Sequence, residues 1–192
     1  MLALASQIAT IVKVAPRLAA HPGFSLETGK LLLSRLVQDK ITPADFRAGQ
    51  IRQVSLRITD ICNLRCHTCG QWGDNGYLIG QSMRQLVRDE VPVERYIELL
   101  NDLAAKGHRP GVYLWGGEPM LYRGVDRLIE TAASLGMPVS IATNGTKLAE
   151  NAEALVRAPM FLAQISIDGH SAEVHNSSRP GANASHDNYR TI

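Results

Sequence analysis

Outside the eight residues from Cys62 to Cys69 there is no cysteine, and that stretch holds three. An odd, tightly grouped set is a poor disulfide framework, which excludes a small secreted scaffold held together by bridges. No charge of one sign dominates. Twenty Lys and Arg against eighteen Asp and Glu leave a formal charge of +2, with no basic stripe or recognition motif to argue for nucleic acid. Long apolar runs are also missing. Met1 to Val12 is uncharged, but Lys13 and Arg17 break it well before the ~20 residues that a membrane-spanning helix needs. Basic residues follow this stretch where a secretory signal would put them first. There is no low-complexity tract and no internal repeat beyond a strand–helix rhythm. What remains is 192 residues, 45% hydrophobic and 20% charged, the composition of a globular protein. Reduced thiols fit a cytoplasmic compartment and metal binding; three thiols without any ligand are the plain alternative.

The first fifty residues read as a helical extension. Ile8, Ile11, Val12 and Val14 fall on one side of a helix, which can pack on the protein or touch a membrane surface. Pro16 and His21-Pro22-Gly23 limit it, Leu26 to Val37 gives a second helical pattern, and Pro43 opens a short third. From residue 51 the pattern changes to strand followed by helix. Val54, Leu56 and Ile58 alternate with polar positions, predicting a strand over 52–58, and a loop then runs from Ile61 to about Met83. Helices are predicted over Pro92–Lys106, Val125–Leu135 and Asn151–Arg157, the first two stopped by Gly107 and Gly136. Between them lie strands at Val112–Trp115, Val139–Ala142 and Leu162–Ile167, and the sequence stops at Ile192 in what reads as a starting helix. Short apolar strands separated by amphipathic helices predict an α/β fold with a parallel sheet. The polar turns all follow carboxyl ends of strands, the side on which open sheets and barrels bind ligands.

The chemistry concentrates just after the first strand, in Cys62-Asn63-Leu64-Arg65-Cys66-His67-Thr68-Cys69. A C-x3-C-x2-C loop can fold back and aim three sulfurs at three irons of one cubane, leaving the fourth iron without a protein ligand and open to a small molecule. A structural zinc site is the alternative; it needs a fourth ligand, and His67 would have to serve from inside the loop. Trp72, in Gly70-Gln71-Trp72-Gly73, can cover a cluster or an adenine ring, or can equally be a core aromatic beneath a long loop.

The cysteine motif, with Gly116-Gly117-Glu118-Pro119 about fifty residues later at a strand end, resembles the radical S-adenosylmethionine superfamily over residues 51–192. The resemblance is to members that carry this Gly-Gly-Glu-Pro motif and, in full-length relatives, a SPASM-type C-terminal domain. It implies the N-terminal half of a partial (β/α)6 TIM-like barrel over 51–192, preceded by the extension over 1–50. It implies a [4Fe–4S] cluster on Cys62, Cys66 and Cys69, and S-adenosyl-L-methionine held by its amino and carboxylate groups on the open iron. Reductive cleavage of the sulfur–C5′ bond then yields a 5′-deoxyadenosyl radical that takes a hydrogen from a substrate not identified by the motifs, with a peptide as one class. An external electron donor such as a flavodoxin or ferredoxin follows from the same resemblance.

By residue, Glu118 is expected to accept from the methionine ammonium, with Gly116 and Gly117 letting the backbone approach a ligand. Thr143 and Asn144, in Thr143-Asn144-Gly145, match a signature that shapes the cofactor or substrate pocket; an Asx-type turn is the alternative. Ser166 and Asp168 match a Ser-x-Asp-Gly strand, with Ser166 toward the cofactor and Asp168 toward the substrate. Arg179 resembles a basic residue that pairs with the cofactor carboxylate, although Ser178-Arg179-Pro180-Gly181 also reads as an ordinary turn. One position departs from the family pattern: the residue before the last cysteine, usually aromatic, is Thr68. The competing reading is a non-enzymatic metal-binding structural or interaction module built on the cysteine loop. With only four strands, against roughly 250 residues for a full barrel, the sequence also reads as part of a longer enzyme.

Overall fold

The computed structural model describes residues 51–157, 160–182 and 187–192, so the helical extension expected over 1–50 lies outside the described residues. Alternation along the four predicted strands is realised as β1 (Gln53–Thr59), β2 (Gly111–Gly116), β3 (Val139–Thr143) and β4 (Leu162–Ile165). They form one parallel sheet in the order β1-β2-β3-β4. Sequential order without a reversal is the pattern of a barrel wall, whereas a doubly wound sheet reverses direction at a switch point.

Register stacks like residues across the sheet. Leu56 pairs with Leu114, Leu114 with Ile141, and Ile141 with Ala163, which keeps one face continuously apolar. Against that face pack α2 (Val93–Ala105), α3 (Val125–Ser134) and α4 (Leu148–Arg157). Leu100 and Leu103 from α2 and Leu128, Ile129 and Ala132 from α3 meet Ile58, Val112, Leu114, Val139 and Ile141 in the core. Each leucine, isoleucine or valine among them, fully buried, stabilises the fold by about 1.5–3 kcal/mol, and Ala132 by less. Gly107 and Gly136 take φ of 81° and 73° just beyond α2 and α3, the left-handed step expected at those helix ends.

Three elements differ from the sequence expectation. A helix, α1 (Met83–Asp89), occupies the end of the long loop; Met83, Leu86 and Val87 fall at helical spacing, but over only seven residues and with none of them buried. β4 ends at Ile165, two residues early, so Ser166 and Asp168 stand in the turn beyond it. The last stretch contains a short helix, α5 (Ala172–Ser178), and then one 3-10 turn at Tyr189–Thr191.

Candidate cofactor site

β1 feeds the cysteine loop at the carboxyl edge of the sheet. Cys69 N–H donates to the Cys66 carbonyl at 3.0 Å and Gly73 N–H to the Cys69 carbonyl at 2.9 Å, so the chain coils tightly about Gly73. A Cβ at Gly73 would overlap the backbone oxygens of Cys66, His67 and Cys69. The end of α5 (Ala172–Ser178) and the residues after it strap this coil: Arg65 N–H donates to Pro180 O at 2.7 Å, His67 N–H to Ser178 O at 3.1 Å, and Ala182 N–H to Asn63 O at 2.9 Å. Each sulfur faces an N–H. Cys62 Sγ has Leu64 N at 3.4 Å and Asn144 Nδ2 at 3.9 Å; Cys69 Sγ has Gln71 N at 3.4 Å and Trp72 N at 3.5 Å; Cys66 Sγ has Arg179 Nη1 at 3.9 Å.

All three thiols are unpaired. Burial pushes the Cys62 thiol up to about 11 and raises Cys66 as well, so neither is a free thiolate nucleophile at neutral pH. Coordination to a metal deprotonates such a thiol outright, and the N–H donors aimed at each sulfur are the environment that a coordinated thiolate takes up. Among the described residues, no three His, Cys, Asp or Glu side chains group around one single-ion position. His67, the fourth ligand that a zinc site would call on, turns its Nδ1 to Asp74 Oδ1 at 2.9 Å on the exposed side of the loop.

The three cysteines border one cavity of about 350 Å³, whose opposite wall is built from the carboxyl ends of the other strands. Gly116 and Gly117 line it, as do Thr143, Asn144, Ser166 and Arg179. Glu118 and Asp168 are not in that wall. The glycine pair does local work that the sequence does not reveal. Gly117 N–H donates to Thr59 O at 2.9 Å and Glu118 N–H to Ile61 O at 2.8 Å; a Cβ at either glycine would overlap the carbonyl oxygen of Thr59 or Ile61. The close approach made here is between β2 and the start of the cysteine loop.

Glu118 is fully buried and its carboxylate is occupied by the protein. Oε1 accepts from Met120 N at 3.0 Å and from Thr143 Oγ1 at 2.7 Å, and Oε2 accepts from Asn144 N at 2.7 Å. Burial raises the carboxyl above its ordinary value, and the three donors oppose that shift only in part. Asn144 then reaches the cysteine loop, donating to Asn63 Oδ1 at 2.9 Å, while Thr146 Oγ1 closes the network on Asn144 Oδ1 at 2.7 Å. Glu118 therefore ties the ends of β2 and β3 together behind the cavity.

Ser166 N–H donates to Thr143 O at 3.0 Å, which extends the sheet pairing past β4 and sets Ser166 at the rim. Asp168 is turned away from the cavity: its Oδ2 lies 2.8 Å from Arg179 Nε and accepts from Ser178 Oγ at 2.8 Å. The Arg179 guanidinium holds the Asp168 carboxyl below its ordinary value. Asp168 thus braces Arg179, which faces Cys66. Asn63, Gly73 and the buried His175 escaped the sequence reading. His175 Nδ1 accepts from Asp168 N at 3.3 Å, and only the small polar spacing around Asp168-Gly169 hints at it.

With this geometry in place, comparison with known proteins gives the class. The model of the radical SAM superfamily matches residues 56–189, and the chain belongs to that family. Among curated proteins it is similar to a GTP 3′,8-cyclase from Limosilactobacillus fermentum, at 34% identity over 68% of this chain and 37% of that protein. It is also similar to an AdoMet-dependent heme synthase from Methanosarcina barkeri, at 31% identity over 68% of this chain and 36% of the other. An S-adenosylmethionine-dependent nucleotide dehydratase from Lacinutrix mariniflava is 29% identical over 54% of this chain and 20% of its own length. The chain thus spans between a fifth and two fifths of these relatives. Among solved structures, Streptococcus suis SuiB bound to S-adenosylmethionine has the same fold, with a TM-score of 0.54 at 16% identity over 92% of this chain and 39% of that one. No helix among the described residues is long and apolar enough to cross a membrane.

Proposed function

We propose that this chain is the cofactor-holding part of a radical S-adenosylmethionine enzyme, with a [4Fe–4S] cluster on Cys62, Cys66 and Cys69 and S-adenosyl-L-methionine beside it in the cavity. The observation that carries this reading is the convergence of three N–H-bonded sulfurs, two glycines, Asn144, Ser166 and Arg179 on one cavity at the carboxyl ends of parallel strands. A bare structural metal site needs neither the glycine pair nor Ser166 and Arg179. When bound, the cluster and its adenosyl partner supply one-electron cleavage to a 5′-deoxyadenosyl radical, with electrons from an external donor such as a flavodoxin or ferredoxin.

The residues of this chain orient and enclose. Backbone groups of Gly116 and Gly117 meet the amino end of the cofactor, and Arg179 with Ser166 meets its carboxylate. Glu118 is assigned to holding Asn144 and Thr143 in place for that contact, and Asp168 to holding Arg179. Unpaired thiols fit a reducing, cytoplasmic setting. The proposed substrate is an organic molecule, with a peptide as the first class to try; the solved relative SuiB also occurs bound to a precursor peptide. Single Cys→Ala variants test the centre of the reading. Each is expected to lose stable iron binding after anaerobic reconstitution, because each sulfur serves a different iron and no spare cysteine exists. Wild-type iron content in any one of them contradicts the assignment.

A further inference from the structure

The chain has two tryptophans, and the structure puts them to different uses. Trp72 is 7% exposed; its indole N–H donates to Asp60 O at 2.7 Å, and the Arg65 guanidinium lies 4.1 Å from its ring centre. Its polar edge and one face are taken by the protein. Trp115 stands two residues after Tyr113 on β2, so both side chains share the sheet face opposite the helix-packed core. Val112 and Leu114, on the other face, are completely buried, whereas Trp115 is 37% exposed.

Tyr113 and Trp115 both line the cavity that holds the three thiols. Among the described residues, neither the Trp115 indole N–H nor the Tyr113 hydroxyl has a hydrogen-bond partner. Space is left beside the indole. Leu114 pairs with Ile141, so the following rung sets Trp115 beside Ala142, the smallest side chain on β3 to reach the cavity. On β1 the paired residue Arg57 is drawn off to Asp60 and to the Tyr77 ring, and does not stack on Trp115.

A partly exposed indole with a free N–H, in a cavity of about 350 Å³ that mixes sulfur and polar groups with Leu64, Trp72 and Ala142, has the makeup of a ring-binding wall. We infer that Trp115, supported by Tyr113, is a stacking surface for a planar nitrogen heteroaromatic ring of a small ligand. Stacking uses the free indole face, and in-plane nitrogen or oxygen acceptors can answer the indole N–H and the phenol. Two sources offer that chemistry at this cavity, the adenine of the adenosyl cofactor and a ring of the substrate. The inference rests on the cofactor reading above, but it fails separately, since iron content reports the first and ring affinity the second.

The test uses the anaerobically reconstituted chain and two probes, S-adenosylhomocysteine and guanosine, the latter added with S-adenosylhomocysteine already saturating. Affinity is read by calorimetry, and tryptophan fluorescence is followed in Trp72→Phe, where Trp115 is the remaining tryptophan. Stacking on one aromatic is worth roughly 1–3 kcal/mol, so Trp115→Ala is expected to weaken a ring-bearing probe by about 5- to 150-fold. Trp115→Phe should keep most of the affinity, iron content should stay at the wild-type level in both, and L-methionine should bind each variant alike. Loss confined to S-adenosylhomocysteine assigns the wall to the cofactor adenine, and loss confined to guanosine assigns it to a substrate ring. Unchanged affinity for both probes in Trp115→Ala, or no fluorescence change in Trp72→Phe, overturns the inference.

Discussion

The two faces of the sheet hold together by different physics. On the helix-packed face, Ile58, Val112, Leu114, Val139 and Ile141 are nearly or wholly buried among apolar neighbours, and attraction there is non-directional. At the carboxyl ends, position is set by directional contacts: Glu118 to Asn144, Asn144 to Asn63, Gly117 to Thr59, and the Ser178–Ala182 strap on the cysteine loop. The first region tolerates a volume change by losing stability in proportion. The second loses geometry, and with it the site, while the core stays folded. Stability and cofactor binding should therefore separate under mutation.

The sharpest break between the regions is expected at Gly73. Its Cβ position is filled by three backbone oxygens of the cysteine coil, which cannot move as a flexible side chain would. Gly73→Ala should reduce iron retention at least about tenfold while the sheet's circular dichroism persists; retention near wild type would mean that the coil is looser than described. Leu114→Ala reverses the pattern. It should cost about 2–5 kcal/mol of unfolding free energy by denaturant titration and leave iron stoichiometry in the folded fraction unaltered.

Glu118→Gln lies between the two regions. It replaces an acceptor beside three donors and should cost about 1–3 kcal/mol, with S-adenosylmethionine affinity falling through displacement of Asn144 and iron content unchanged. The pH dependence has a definite sign. Burial raises the Glu118 carboxyl above its ordinary value of 4.5, so the folded state holds its proton to higher pH than the unfolded state. Its contribution is fully present below pH 4.5 and is lost as pH rises through the folded-state value. The stability advantage of wild type over Glu118→Gln should shrink over that interval; an advantage that grows with pH would place the carboxyl below its ordinary value.

The smallest effect is expected at Asp168. The Asp168–Arg179 pair is partly exposed, with side-chain accessibilities of 29% and 21%, so solvent screening limits it. Asp168→Asn should weaken S-adenosylmethionine binding by only about 2- to 5-fold, and Arg179→Ala by more. Equal losses in both variants would mean that Asp168 meets the cofactor directly.

The same division explains what could be read from the chain beforehand. β1, β2 and β3 and helices α2 and α3 follow from apolar periodicity, because burial on one face writes a period into the sequence. α1 buries none of Met83, Leu86 and Val87 and is seven residues long, too short for their helical spacing to stand out from the loop around it. The cysteine loop is legible because its three cysteines are three and four residues apart. Its supports are not, since Asn144 lies 81 residues from Asn63 and Arg179 lies 113 from Cys66. Glu118, Ser166 and Asp168 stand out as polar residues near strand ends. Yet which of them face the cavity depends on where β4 stops and on donors from β3. Local spacing carries neither fact.

Whether the three cysteines hold a [4Fe–4S] cluster with an open iron is decided by anaerobic iron, zinc and sulfide analysis of the reconstituted wild-type chain, followed spectroscopically during addition of S-adenosylmethionine. About four irons and four sulfides per chain are expected, with a spectrum that changes as the cofactor reaches the open iron. One zinc per chain with no sulfide, or an iron spectrum indifferent to S-adenosylmethionine, would contradict this assignment.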